Sequence, residues 1–164
     1  MNVEGVTWKN MIKLFIMDVD GTLTDGGIYY DDSGHEFKKF NVKDGAGIKK
    51  LKDYGVLTMV LTGRESLCVT KRAKELKIDY VIQGVDDKIS YLHSFIQVNH
   101  FDRNEIAYIG DDINDLKCMQ FAGHTAAPAD AVEDVLTEVE YICQKKGGQG
   151  AVREYAEYLI RMFV

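Results

Sequence analysis

Short apolar runs alternate with amphipathic segments along most of the chain, and this alternation predicts the fold class. The run from Lys13 to Val19 (KLFIMDV) leads into acidic residues and Gly21, which is typical of a fully buried parallel strand. Similar apolar runs follow at residues 56–61, 80–82, 106–109, 124–127 and 141–143. Helical patterns separate and follow these runs, at residues 45–54, 65–77, 88–98, 115–121, 131–139 and 151–163. Repeated strand-helix units predict an α/β fold, a Rossmann-like parallel sheet with helices on both faces.

Two segments interrupt this alternation. Residues 26–40 (GGIYYDDSGHEFKKF) place aromatic and β-branched residues on both sides of a Ser33-Gly34 turn, which predicts a β-hairpin. The hairpin leaves the sheet after the first strand, at the carboxyl edge where open α/β sheets bind ligands, so we expect residues 25–40 to form a flap over a site. The second segment is the glycine loop KKGGQG, and we expect residues 145–164 to form this loop and a C-terminal helix.

The length and composition are those of one ordinary globular domain. The chain has 164 residues, of which 46% are hydrophobic and 28% are charged, so we expect residues 1–164 to form a single domain. The 20 basic and 26 acidic residues give a net charge of −6, which argues against nucleic-acid and anionic-membrane partners. No apolar run approaches the roughly 18 residues of a membrane span, and the opening sequence lacks the apolar stretch of a signal peptide. We therefore expect a cytoplasmic protein.

The cysteines do not suggest chemistry. Cys68, Cys118 and Cys143 lie far apart, and they form neither a CxxC pair nor a zinc-ligand spacing with a nearby histidine. Each lies in or beside an apolar helix or strand pattern, so we interpret all three as buried thiols.

Two carboxylates follow the first predicted strand directly. In the sequence DVDGT, the alternation of a strand directs Asp18 and Asp20 to the same side, while Val19 packs into the core. Two carboxylates this close repel each other unless a cation lies between them, and Mg²⁺ prefers such hard oxygen ligands. The alternative for this motif alone is an acidic strand end that caps the next turn.

Further polar groups follow the other predicted strands. The sequence GDDIND supplies a second acidic cluster (Asp111, Asp112, Asn114 and Asp115), in which Asp112 or Asp115 is also a candidate helix cap. Thr62 and Gly63 offer a hydroxyl and an unhindered N–H at a helix N-terminus, which suits a phosphate. Lys88 opens another helix, and its alternative is a solvated surface lysine. Two lysines of the hairpin, Lys38 and Lys39, are interpreted as mostly solvated, with a possible role in attracting an anion.

The order Asp, Thr, Lys, Asp-Asp, each after its own strand, resembles the haloacid dehalogenase superfamily of phosphatases. Its four motifs fall here on Asp18 with Asp20, Thr62, Lys88, and Asp111 with Asp112. The early hairpin in place of a cap domain, the sequence LTGRES and the tail GGQGAVRE resemble the capless subgroup that contains the 3-deoxy-D-manno-octulosonate 8-phosphate phosphatases.

The resemblance implies a mechanism for these residues. Asp18 attacks phosphorus and forms an aspartyl phosphate, and Asp20 acts as general acid and then as general base. Mg²⁺ is held by Asp18, the backbone carbonyl of Asp20, and Asp111. Thr62 and Lys88 hold the transferring phosphoryl oxygens, and Lys88 also keeps Asp18 ionised. Asp112, Asn114 and Asp115 are supporting residues.

The resemblance also bears on the substrate, a phosphorylated 2-keto-3-deoxy sugar acid. Arg64 is positioned to hold a substrate carboxylate, and its alternative is an exposed first-turn arginine. An arginine after Thr-Gly is similar to the eight-carbon enzymes, whereas the nine-carbon relatives tend to carry glutamate there. Arg153 resembles a tail residue that reaches a neighbouring subunit's active site, which implies a homotetramer.

Two other functions compete with this interpretation. A receiver-type phosphoacceptor switch also uses acids, a threonine and a lysine around Mg²⁺. Its acceptor aspartate follows a later central strand, whereas this chain has Leu61-Thr62-Gly63 there, so the motif order argues against it. A phosphatase for a nine-carbon sugar acid 9-phosphate remains open, because Arg64 alone indicates the substrate.

Overall fold

The computed structural model describes residues 11–164, and its centre is a six-stranded parallel sheet. The strands of this sheet in chain order are β1 (Leu14–Met17), β4 (Leu57–Leu61), β5 (Tyr80–Ile82), β6 (Ile106–Ile109), β7 (His124–Ala127) and β8 (Tyr141–Ile142). Strands β2 (Tyr29–Tyr30) and β3 (Glu36–Phe37) pair separately. Their spatial order is β5-β4-β1-β6-β7-β8. Each strand lies within an apolar run predicted from the sequence, and the α/β fold class is confirmed.

Within residues 11–164, six helices cover the two faces of the sheet. They are α1 (Val42–Asp53), α2 (Leu67–Leu76), α3 (Lys88–Asn99), α4 (Leu116–Phe121), α5 (Glu133–Leu136) and α6 (Ala151–Phe163). Phe15 and Met17 of β1 pack in a core with α1, α2 and α6, whereas Leu14 and Ile16 pack in a second core with α3, α4 and α5. All four residues are fully buried, as a strand covered on both faces requires. Within residues 11–164, no helix is both long enough and apolar enough to cross a bilayer.

The register of β1 determines where the functional groups meet. Met17, the last residue of β1, pairs with Val60 of β4 on one side and with Ile109 of β6 on the other. The carboxyl ends of three adjacent strands therefore lie at one edge of the sheet. The chain that leaves this edge carries Asp18 after β1, Thr62 after β4 and Asp111 after β6.

The predicted hairpin is present between β1 and α1. Its strands are β2 (Tyr29–Tyr30) and β3 (Glu36–Phe37), which pair antiparallel, and an isolated bridge joins Thr24 to Phe40 at its base. Asp31 closes the tip, because its carboxylate accepts hydrogen bonds from the backbone N–H of Ser33 at 2.9 Å and of His35 at 2.8 Å.

The glycine loop contacts the chain that follows β1. A Cβ on Gly147 would collide with the backbone oxygen of Gly21, so no larger residue fits there. The Gly148 N–H donates to the Thr22 carbonyl at 3.0 Å. Asp44 of α1 accepts from the Arg153 N–H at 2.9 Å and thereby caps the first turn of α6 from another helix. The loop is therefore a close contact between α6 and the loop after β1.

Several predicted boundaries and environments are wrong. Helix α1 begins at Val42 rather than at residue 45, because Asn41 caps it by accepting from the Lys43 N–H at 2.9 Å. The helix predicted over residues 131–139 is the single short turn α5. Cys118 and Cys143 are buried as predicted, but Cys68 is only partly buried. The predictions for Met1 to Asn10 lie outside the described residues.

Candidate active site

Lys88 joins two of the acidic motifs at the edge of the sheet. Its Nζ lies 2.6 Å from Asp18 Oδ1 and 2.7 Å from Asp115 Oδ1. The Lys88 side chain is 1% exposed, so it is not the solvated lysine that the sequence allowed. It reaches this position because α3 begins at Lys88, where Asp87 caps the helix by accepting from the Ser90 N–H at 3.2 Å.

Asp115 connects the lysine to the loop after β6. Its Oδ1 also accepts from the Tyr108 hydroxyl at 2.6 Å, and its Oδ2 accepts from the Asp111 N–H at 3.2 Å. The 3-10 turn Ile113–Asp115 is capped by Asp112, whose Oδ1 accepts from the Ile113 N–H at 2.7 Å. Asp115 therefore orders the lysine and the backbone of Asp111 at the same time.

Three carboxylates converge at this edge. Asp18, Asp111 and Asp115 each offer a ligand oxygen, and these oxygens lie within 4.8 Å of one another. Together they carry three negative charges when ionised, against one positive charge from Lys88, so the cluster fits a divalent cation. Thr22 orients Asp111 by donating to its Oδ1 at 3.1 Å. Gly21 allows this approach, because its φ is +91° and a Cβ there would collide with the Asp111 carboxylate.

The pKa values show the excess of negative charge. Burial, followed by the charge of Asp115, raises the pKa of Asp18 well above its ordinary value, and the opposing effect of Lys88 is too small to prevent this. Burial and Asp115 raise the pKa of Asp111 to about 6. Burial alone would lower the pKa of Lys88, but Asp18 and Asp115 outweigh it and raise that pKa. Lys88 thus favours the ionised form of Asp18, while burial and Asp115 oppose it.

The second carboxylate of the first motif faces the hairpin instead. Asp20 forms a short ion pair with Lys38, whose side chain is only 2% exposed. The prediction that Lys38 is mostly solvated is therefore wrong. Within the described residues, the Asp20 side chain is not part of the three-carboxylate cluster, so this cluster does not place a cation between the Asp18 and Asp20 carboxylates.

A cavity of about 140 Å³ opens beside these groups. It is lined by the residues that the sequence singled out, namely Asp18, Asp20, Thr62, Gly63, Arg64, Asp112 and Asn114. A larger cavity of about 520 Å³ lies between α1 and α2, and none of these seven residues lines it. The smaller cavity is the candidate active site, because the carboxylates and the buried hydroxyl of Thr62 converge there.

Arg153 does not join this group within the described chain. Its guanidinium binds Glu157 one turn along α6, with Nε and Nη2 lying 2.8 and 2.7 Å from Glu157 Oε1. The cavity lining formed by residues 11–164 does not include it. A role of Arg153 in the site therefore depends on a neighbouring subunit.

Sequence reasoning missed Glu36 of the hairpin and the pairing of Lys38 with Asp20. Glu36 accepts from Arg64 Nη2 at 2.7 Å and from the Ser66 hydroxyl at 2.7 Å, and Lys38 binds Asp20. Glu36 and Lys38 are two positions apart on or next to β3, so strand alternation directs both to the same face of the hairpin. This spacing, in a hairpin already predicted to cover the site, was the available signal.

Comparison with protein families supports a phosphatase. A family model described as haloacid dehalogenase-like hydrolase matches residues 84–154. The 3-deoxy-D-manno-octulosonate 8-phosphate phosphatase of Yersinia pestis is 38% identical over 149 residues, which cover 91% of this chain and 80% of that protein.

Solved structures give the same result. The chain is similar to the crystal structure of 3-deoxy-D-manno-octulosonate 8-phosphate phosphatase from Moraxella catarrhalis in complex with magnesium, phosphate and 3-deoxy-D-manno-octulosonate (KDO). The TM-score is 0.90 and the identity 43%, with 93% of this chain and 87% of that chain covered. The cobalt-bound phosphatase from Haemophilus influenzae matches with a TM-score of 0.87 and 36% identity, covering 93% of this chain and 89% of that one.

Proposed function

The chain belongs to the 3-deoxy-D-manno-octulosonate 8-phosphate phosphatases of the haloacid dehalogenase superfamily, and on this basis we propose that it hydrolyses KDO 8-phosphate to KDO and phosphate with Mg²⁺ as cofactor. The observation that carries the proposal is the cluster of Asp18, Asp111 and Asp115 around Lys88, beside a cavity that also contains Asp20 and Thr62. This set contains a nucleophile, a second carboxylate, phosphate ligands and a metal site within one small volume.

Asp18 is the proposed nucleophile. One of its carboxylate oxygens attacks phosphorus, the bond from phosphorus to the sugar oxygen breaks, and an aspartyl phosphate forms on Asp18. Asp20, in its acid form, gives its proton to the departing sugar oxygen. Both side chains line the cavity, and Asp20 is held at its edge by Lys38.

Water completes the reaction. Asp20, now a carboxylate, takes a proton from a water molecule whose oxygen attacks phosphorus. The bond between phosphorus and Asp18 breaks, inorganic phosphate leaves, and the Asp18 carboxylate is restored. Two transfers thus replace one direct hydrolysis of the ester.

The transferring phosphoryl group carries negative charge that the protein must balance. We assign this role to the Thr62 hydroxyl, the Gly63 N–H and Lys88, which lie at the same edge of the sheet as Asp18. Asp112, Asn114 and Asp115 support this arrangement. Asp115 binds Lys88 and the backbone N–H of Asp111. Asp112 caps the turn Ile113–Asp115.

Asp18, Asp111 and the backbone carbonyl of Asp20 are the proposed ligands of Mg²⁺. The raised pKa values of Asp18 and Asp111 support a cation site, because burial and then the charge of Asp115 disfavour their ionised forms, and a bound cation would offset both effects. When bound, the ion supplies the positive charge that lets an anionic nucleophile meet an anionic phosphate.

Arg64 is the proposed ligand of the substrate carboxylate. It lines the cavity and its side chain is 43% exposed, so its guanidinium is accessible at the rim. A planar guanidinium binds a carboxylate through two parallel hydrogen bonds. A nine-carbon sugar acid 9-phosphate is the alternative substrate, since it also carries a carboxylate and a terminal phosphate.

We further propose a cytoplasmic homotetramer in which Arg153 approaches a neighbouring subunit's site. The hairpin exposes four large apolar side chains (Ile28, Tyr29, Tyr30 and Phe37), and such patches favour contacts between proteins. Residues 1–164 would act as one catalytic domain, with residues 25–40 as its flap. Light scattering of the purified protein measures its mass in solution, and a monomeric mass would contradict this arrangement.

Phosphate release tests the proposed function. KDO 8-phosphate, a nine-carbon 9-phosphate and hexose phosphates are compared with and without Mg²⁺. We expect turnover of KDO 8-phosphate to be the fastest, and to be lost with Asp18→Asn or after chelation of the metal. Preference for the nine-carbon acid would support the alternative substrate, and a stable phosphoprotein without turnover would support a receiver-like switch.

A further inference from the structure

Four charged side chains of alternating sign connect the hairpin to the active-site cavity. Asp20 pairs with Lys38, and Lys38 Nζ lies 3.3 Å from Glu36 Oε1. Glu36 Oε1 lies 2.7 Å from Arg64 Nη2, and Arg64 Nη1 lies 3.9 Å from Asp20 Oδ2. The four residues form a closed ring in which two members line the cavity and two belong to the hairpin.

Glu36 is the member of the ring with the most partners. Besides the two cations, its Oε2 accepts from the Ser66 hydroxyl at 2.7 Å. The hydrogen bond from Ser66, together with the charges of Lys38 and Arg64, lowers the pKa of Glu36. Its carboxylate is therefore fixed by three donors from two segments, the end of the hairpin and the loop between β4 and α2.

Arg64, in contrast, has Glu36 as the nearer of its two carboxylate partners in the described residues. Its side chain is 43% exposed, and its separation from Asp20 is longer than a hydrogen bond. A long, exposed side chain explores many rotamers unless one of its donors is bound. Glu36 binds Nη2, while Asp20 and the Tyr30 side chain also face the guanidinium, which offers five N–H donors at the rim of the cavity.

We propose that Glu36 is a positioning residue for Arg64, and that it thereby determines the preference for phosphate esters that also carry a carboxylate. The inference rests on the proposed function of Arg64 as the carboxylate ligand. Glu36 does not touch the phosphate in this arrangement. Its effect is confined to the part of the substrate that distinguishes a sugar acid from other phosphate esters.

The test compares two substrates in the full-length enzyme with Mg²⁺. KDO 8-phosphate carries a carboxylate, whereas glucose 6-phosphate does not, and both release a primary sugar alkoxide that needs a proton from the general acid. The ratio of their kcat/KM values therefore cancels changes in phosphoryl transfer itself, including any change that reaches Asp20 through Lys38. We expect Glu36→Ala to lower this ratio about tenfold, through a higher KM for KDO 8-phosphate. Glu36→Gln, which keeps the shape and one acceptor, should lower it less.

A double-mutant cycle separates positioning from a general structural effect. In an Arg64→Ala background, Glu36→Ala should cause no further fall in the ratio, because the residue it positions is absent. Asp31→Asn is the matched control, since Asp31 is an acidic residue of the same hairpin that binds only the tip. This control should leave the ratio unchanged.

The possible results are distinct. Three results would each overturn the inference. The ratio could be unchanged in both Glu36→Gln and Glu36→Ala, or Glu36→Ala could lower it further in the Arg64→Ala background. The ratio could also rise, which would show that Glu36 competes with the substrate for Arg64. If Glu36→Ala does not fold, Glu36→Gln and Ser66→Ala, which removes the hydroxyl bound to Glu36, give the same test. If the unmodified enzyme itself shows no preference for KDO 8-phosphate, the proposed function fails first, and the inference fails with it.

Discussion

Lys88 Nζ lies 2.6 Å from Asp18 Oδ1, although 70 positions separate the two residues in the chain. Both side chains are almost completely buried, so the pair is formed away from water. Asp115 shares the same amino group at 2.7 Å, which leaves Lys88 divided between two carboxylates. The candidate active site thus combines a close buried ion pair with an excess of negative charge, and the first two predictions depend on this combination.

Replacing Asp18 with asparagine should abolish turnover while preserving the fold. The substitution removes the proposed nucleophile, and we expect kcat to fall by at least about 10³-fold. Lys88 keeps Asp115 as a partner, so the free energy of unfolding should change little. Phosphate release and urea unfolding measure the two effects. Asp79→Asn is the control. Asp79 binds Lys52 and Thr58 near the amino end of β4, at the end of the strand opposite Thr62, so its substitution should leave kcat unchanged.

Replacing Lys88 with methionine should destabilise the metal-free protein strongly. Removing one partner of a buried ion pair leaves uncompensated charge and typically costs about 3–5 kcal/mol. The loss should be smaller at low pH, where protonation of Asp18 removes that charge. Lys13→Met is the matched control, since the Lys13 side chain is 58% exposed and pairs with Glu105. Its effect should stay below about 1 kcal/mol, and equal effects in urea unfolding would contradict the prediction.

The metal-free protein should lose stability as the pH rises through about 6. The pKa of Asp111 is raised from 3.8 in the unfolded chain to about 6 in the fold, so the fold binds this proton more tightly. The resulting stability is fully present below pH 3.8 and is lost as the pH passes the folded value. Asp18, whose pKa is also raised, acts in the same direction.

Thermal unfolding in the presence of a chelator measures this dependence. Asp111→Asn should flatten the curve between pH 5 and about pH 7, because the titrating group is absent. Mg²⁺ should raise the melting temperature most at the higher pH, where its ligands are ionised. The metal-free melting temperature could instead rise over this interval, and Asp111→Asn could remove that rise. This result would contradict the raised pKa of Asp111.

Replacing Gly21 with alanine should weaken Mg²⁺ binding. The residue has a φ of +91°, and the new Cβ would collide with the Asp111 carboxylate, which must then move. Gly34→Ala is the matched control, because its φ is +81° and no atom of the described residues lies within 4 Å of a Cβ there. The control should lose only about 1 kcal/mol of stability through backbone strain. Calorimetric titration with Mg²⁺ should show weaker binding for Gly21→Ala alone.

The hairpin shows where sequence patterns reach their limit. The Ser33-Gly34 turn and the flanking aromatic residues predicted the hairpin, and the structure confirms it. The sequence did not show that Lys38 is buried against Asp20, because a lysine pair next to a turn usually lies in solvent. Only the packing of the hairpin on the loops after β1 and β4 removes this lysine from water. Helix α1 illustrates the same limit, since its early start depends on the cap formed by Asn41.

The sequence by itself determined the α/β fold and predicted Asp18, Thr62, Lys88 and Asp111 as residues of the candidate site. It did so because alternation and periodicity are local, and because the carboxyl ends of parallel strands meet at one edge whatever their order. Only the tertiary structure placed β1 between β4 and β6, divided Lys88 between Asp18 and Asp115, and connected Glu36 to Arg64. These relations join residues far apart in the chain, and they depend on strand order and side-chain rotamers that no local pattern encodes.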